Sequence, residues 1–371
     1  MTAARATLTA VRKKRPAPHL DDKVLTSWNG LMISALARAS QALSSSPRSE
    51  ESLGYFRAAT KAAEFVRDNL YRSATGTTPG TLLRSWRNGR ASPVEGFADD
   101  YAFLIRGPID LYEADPRKEI GWRWLRWARE LQARTEMDEG FKCPAEAGGG
   151  STDTTSKGWL VRSGTHGSHP GQTITCFTRA CEQTRTDYDG AEPGAGSVAA
   201  DNLLRLSGYF GGQNGKDLKE RAAEQLAAAF ALPETPQAFP ELTASLVTAL
   251  PPVADLQPQV IITGDSSGSE TQALVSAAQR SFCPNLLLIL EDTGNNAAAS
   301  TGKKPADGGS GKGEDPEEGL PPLFREVLEV YGGGVGGESE GGDAAAATAH
   351  VCFDNACSRP VHTVEALGNL L

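Results

Sequence analysis

The segment DDKVLTSWNGLMISALARAS, Asp21 to Ser40, places two carboxylates, a lysine, an indole and an amide immediately ahead of an apolar helix. Leu31, Ile33, Ala35, Leu36 and Ala39 suit a largely buried helix, and Ser27 or Asn29 offers a cap for its start. Asp21, Asp22, Lys23 and Trp28 then gather at its N-terminal mouth. Carboxylates beside an aromatic plate can hold a sugar, the acids bonding its hydroxyls while its apolar face stacks on the ring. The same residues also suit a capping cluster tied down by an internal salt bridge, with no chemistry at all.

The rest of the composition narrows the classes. A chain of 371 residues with 39% hydrophobic content can build a real core and hold two or three domains. The formal net charge is −9, and basic residues are scattered apart from the run Arg12 to Arg15, so neither a nucleic-acid surface nor a membrane surface is expected. No apolar stretch is long enough to span a bilayer, and MTAARATLTAVRKKRP lacks the apolar core of a secretory signal, which gives a cytoplasmic expectation. Six cysteines in so long a chain do not make a disulfide scaffold, and the absence of a CxxC pair places any redox function outside this sequence.

The elements that must position the acids follow a repeated pattern, in which an acidic segment opens an apolar helix and a more amphipathic helix returns. The first unit pairs Trp28 to Leu43 with Leu53 to Leu70, the second Asp99 to Glu113 with Trp122 to Arg134, and the third Gly196 to Tyr209 with Asp217 to Ala231. Glu241 to Leu250 reads as the opening helix of a fourth. Gly107 and Pro108 fall inside the second opening helix and are expected to kink or delay it. Acidic loops always at the start of the inner helix suit an α/α toroid or part of one, whose inner-helix N-termini converge at one rim; an α-solenoid is the alternative.

Three blocks, RPAPHLDDKVLTSWNGLMISALA, LLRSWRNGRASPVEGFADDYAFLIRG and DYDGAEPGAGSVAADNLLRL, occur in that order. They resemble the spermatogenesis-associated protein 20 family and its bacterial counterparts. That resemblance implies a mainly α fold: part of an (α/α)6 toroid of the six-hairpin glycosidase kind, similar to N-acylglucosamine 2-epimerases, with a small C-terminal α/β element. It also implies that a thioredoxin-like domain and earlier hairpins belong to the longer protein and that this chain corresponds to the C-terminal part. Carried over block by block, it puts His19, Asp21, Asp22, Lys23, Trp28 and Asn29 at one rim. Asp99, Asp100 and Tyr101 join from the second unit, and Asp187, Tyr188, Asp189, Glu192 and Ser197 from the third. Asp22, Asp100, Glu192 and His19 are the candidates for acid–base chemistry. Asp21, Lys23, Trp28, Asn29, Asp99, Tyr101 and Asp189 are the candidates for holding a substrate. Either glycosidic hydrolysis or sugar epimerisation could use such a set. The other reading is a structural or carbohydrate-binding module beside a redox thioredoxin-like domain, in the setting of spermatogenesis.

Residues 143 to 186 depart from the periodicity and read as an irregular insert. His166, His169, Cys176 and Cys181 within it match no standard zinc spacing, so no metal is assigned. Further on, QVIITGD, SETQALVSAAQRSF and NLLLIL form a strand, a helix and a strand, and the tail from His350 adds a strand and a short helix. Residues 292–349 read as Gly-rich linker. TGDSSGS lacks both GxGxxG spacing and a P-loop lysine, so an ordinary turn is expected and no cofactor is assigned. Cys352 and Cys357 are expected as buried structural thiols.

Overall fold

The computed structural model describes residues 2–16, 19–44, 48–73, 80–117, 120–137, 191–230, 257–281, 283, 286–293, 347–353 and 356–371. The chain is mainly α with a small sheet element. After α1 (Thr2–Lys13), three helical hairpins follow: α2 (Thr26–Leu43) with α3 (Ser49–Leu70), α4 (Ala98–Ala114) with α5 (Trp122–Met137), and α6 (Ala195–Phe210) with α7 (Gly212–Phe230). These match the three units read from periodicity. The expected fourth unit, the insert and the linker lie outside the described residues.

The returning helices show the polar outer face their sequences promise, as on α3, where Ser52, Ala59, Ala63, Val66 and Leu70 alone are buried. The opening helices α2, α4 and α6 run side by side with α4 in the middle. Helix α4 is buried on most faces, from Asp100 to Tyr112, and it runs as one helix from Ala98 to Ala114 with Pro108 inside it. Contacts at both ends make the three parallel: Ser27 meets Asp100 near their starts, and Arg205 meets Asp110 further along. The backbones of α2 and α4 come very close at Gly30, where a Cβ would lie 2.5 Å from the Phe103 carbonyl carbon. The buried face of α2 is Thr26, Ser27, Gly30, Ile33, Ser34, Ala37 and Ser40, so Ala35 and Met32 face outward, contrary to an all-round burial.

Short strands build the mouth of the array. Strand β1 (Val24–Leu25) pairs with β4 (Ser85–Arg87), which turns into β5 (Arg90–Ala91), while β2 (Tyr71–Arg72) pairs with β3 (Thr81–Leu82). Asn88 and Gly89 both have positive φ, 52° and 76°, the two-residue turn whose twist matches a hairpin.

The C-terminal element is a four-stranded sheet in the order β7-β6-β8-β9: β6 (Gln259–Gly264), β7 (Leu287–Asp292), β8 (Thr348–Phe353) and β9 (Ala356–Cys357). Strands β6 and β7 are parallel and joined through α8 (Ser269–Arg280), the expected βαβ unit, and β8 lies antiparallel on β6. Helix α9 (Val364–Gly368) closes the chain, with Leu367 buried beside α8. One face of the sheet joins the helical core through Ile261, Leu287, Ile289 and Cys352. Gln279 of α8 also donates to the carbonyl of Glu113 at 2.8 Å. Cys352 and Cys357 are joined in a disulfide across β8 and β9. This corrects the expectation of separate thiols: the antiparallel register of β8 and β9 places the two positions directly opposite each other.

Candidate functional site

The start of α2 carries no side-chain cap of its own; neither Ser27 nor Asn29 fills that role. The cap comes from α4. The Asp100 carboxylate accepts the Ser27 N–H at 3.0 Å and the Phe97 N–H at 2.9 Å, so one buried acid closes the N-termini of two parallel helices. Arg84, held on the strand side of the mouth, donates to the same carboxylate at 2.8 Å and to Asp99 at 3.4 Å. Burial, with Asp99 alongside, pushes the Asp100 carboxyl up to about 6, against the pull of Arg84 and the two amides. Burial also raises Asp99.

The other acids of the first unit are paired as well. Asp22 accepts from Arg87 Nε at 2.5 Å, and Asp21 from Lys23 Nζ at 3.2 Å, a bond that holds the Asp21 carboxyl below its ordinary value. His19 lies exposed ahead of them. Tyr101, expected to face a ligand, is buried instead, and its hydroxyl accepts the Leu82 N–H at 2.9 Å. Asn29 donates to the Leu25 carbonyl at 2.7 Å, and Ser197 is buried. Asp187, Tyr188 and Asp189 lie outside the described residues. The third unit reaches the mouth through Glu192, whose carboxylate accepts the Trp28 Nε1–H at 2.6 Å. The indole is 58% exposed, so its edge is fixed while much of its surface stays open. Acidic openings from all three units therefore meet in one place: Trp28 with Glu192, Ser27 with Asp100, and Asp22 with Arg87.

No family model matches the chain. Over 289 residues, 76% of this chain, it is 34% identical to spermatogenesis-associated protein 20 of Homo sapiens, and over the same length 32% identical to that of Rattus norvegicus. The protein of that name in Mus musculus is 32% identical over 290 residues. The chain is homologous to part of spermatogenesis-associated protein 20. The match covers only 31% of the length of these relatives.

Below the mouth, this homologue of spermatogenesis-associated protein 20 carries a second polar cluster that sequence reasoning missed. Asp110 of α4, fully buried, is bonded by Ser34 and by Arg38 of α2 and by Arg205 of α6 at 2.6 Å. Arg205 also pairs with Glu113 at 2.8 Å, and the Tyr209 hydroxyl donates to Glu113 at 2.9 Å. Burial alone would raise the Asp110 carboxyl, but Arg205 and Arg38 overcome it and hold the group well below the carboxylate range. The only trace in sequence is a charge within each apolar run, FLIRGPIDLY and NLLRLSG. Among the described residues no His, Cys, Asp and Glu group is arranged to hold a metal ion. The strand-to-helix turn at Gly264 to Gly268 is likewise filled: Ser266 N–H bonds Asp292 at 3.0 Å and Ser267 N–H bonds Asp265 at 2.8 Å, which uses the amides a phosphate would need. No described helix is long and apolar enough to cross a membrane.

Proposed function

We propose that this chain is a carbohydrate-binding or structural module, a partial α/α toroid working beside a thioredoxin-like redox domain, in a setting of spermatogenesis suggested by the relatives' name. The observation that carries it is the Trp28 indole, 58% exposed with its N–H anchored on Glu192 at 2.6 Å. A ring held by its edge loses little rotational freedom on stacking against a sugar, and neighbouring carboxylates accept hydroxyl bonds. A carbohydrate-active enzyme is the weaker reading. Hydrolysis or epimerisation needs acids able to exchange protons with substrate. Here Asp100 is sealed beneath two helix ends, Asp22 and Asp21 face Arg87 and Lys23, and Asp99 faces Arg84. Such pairing suits a scaffold that fixes loops around a binding surface.

A glycan-array screen followed by calorimetric titration of the best ligand tests the proposal. Trp28→Ala is expected to weaken that ligand by about 1–3 kcal/mol. The melting temperature should move little, because an exposed ring contributes little to the core. Loss of stability with unchanged affinity, or no glycan bound at all, rejects the binding role.

A further inference from the structure

The disulfide belongs to the C-terminal sheet and stands independently of the proposed binding role. Cys352 and Cys357 face each other across the antiparallel pair β8 and β9, with Cα atoms 3.9 Å apart and a sequence separation of 5. Closing so short a loop restricts the unfolded chain far less than closing a long one. The strands are also tied without it. Ser358 N–H bonds the Val351 carbonyl at 2.8 Å, and Ala349 and Val361 exchange backbone bonds at 2.8 and 2.9 Å. With these backbone bonds already holding β9, stapling is not the only role open to the disulfide.

The two cysteines differ in exposure. Cys352 is 4% exposed within the core face with Ile261, Leu287 and Ile289, whereas Cys357, on the terminal strand of the sheet, packs against the same core but is only half-buried. We propose that Cys352–Cys357 is a redox-active pair that undergoes thiol–disulfide exchange with a protein or small-molecule dithiol, with Cys357 as the sulfur attacked. A thiolate of the dithiol bonds to Cys357 Sγ, the bond between Cys357 and Cys352 breaks, and Cys352 leaves as a thiolate that takes a proton. The second thiolate of the dithiol then attacks its own sulfur in the mixed disulfide and releases Cys357, which is protonated in turn. The pair gains two electrons and two protons, and the dithiol ends as a disulfide. Attack at Cys352 is disfavoured because access as well as thiolate character governs exchange. This places redox chemistry within the chain, where the lack of a CxxC pair argued against it.

The test uses the full chain under native conditions, equilibrated with dithiothreitol and with glutathione redox buffers. Alkylation and peptide mass spectrometry report the state of the two cysteines, and far-UV circular dichroism reports the fold. The expected result is reversible opening and closing with an unchanged spectrum. In addition, Cys352→Ser should form a mixed disulfide with glutathione disulfide at least about tenfold faster than Cys357→Ser, whose remaining sulfur is buried. A bond that resists dithiothreitol until the chain unfolds, or thiols that do not reoxidise, would overturn the proposal. So would equal reactivity of the two variants.

Discussion

Asp100 shows how one side chain can look catalytic in sequence and act as a fastener in the fold. Its carboxylate takes two helix-start amides and Arg84, yet it has no exposure to water. Burial lifts its folded value to about 6 from 3.8, so the folded state binds more protons than the unfolded state between those values. Stability from this group is therefore complete below the unfolded value and is lost as pH rises through the folded one. That loss amounts to about 3 kcal/mol. Asp110 has the opposite sign, because its guanidinium partners lower it; its contribution is lost only as pH falls below the ordinary carboxylate range. Chemical denaturation between about pH 4 and pH 7 should thus give a wild-type stability that declines as pH rises. Asp100→Asn should remove much of that slope, and an unchanged slope would show that the carboxylate is ionised throughout.

Parallel packing of α2 on α4 brings the acidic openings to one mouth, and it depends on a residue with no side chain. A methyl at Gly30 would meet the Phe103 backbone at 2.5 Å, and a backbone cannot rotate away as a flexible side chain can. Gly30→Ala is expected to cost about 3 kcal/mol by forcing the helices apart, measured by thermal or urea unfolding. A variant as stable as wild type would mean that the two helices slide freely. The existence of these helices was legible because burial imposes a 3.6-residue repeat that survives in the sequence. Their fastening was not legible. Asp100 caps a helix 73 positions away, and Arg205 meets Asp110 across 95, distances over which periodicity carries no information. The hairpin presenting Arg84 and Arg87 did leave a local signal: Asn88-Gly89 between Arg87 and Arg90 is the dipeptide that a turn with two positive φ angles favours. Tyr101 failed as a candidate because a motif records residue type and not the direction of a side chain. Here the hydroxyl turns inward to Leu82.

Across the whole molecule, large apolar side chains are exposed unevenly. Leu8, Val11, Leu20, Trp28, Met32 and Leu53, most of the exposed large hydrophobics among the described residues, belong to the first 53 positions. Trp28 and Met32 stand four apart on α2 and so share one face, and Met32 has no polar anchor comparable to the Trp28 bond with Glu192. Isolated apolar residues on a surface are ordinary, but several grouped along neighbouring helices attract partners. Since the match spans less than a third of the relatives' length, the chain on its own should cover some of this apolar surface with a second copy. Size-exclusion chromatography with light scattering is expected to give a mass that rises with concentration. Met32→Glu with Leu53→Glu should lower it toward the monomer without lowering the melting temperature, because both side chains are more than half exposed. A wild-type chain that stays monomeric at every concentration, with a sharp cooperative melt, would instead make these residues ordinary surface.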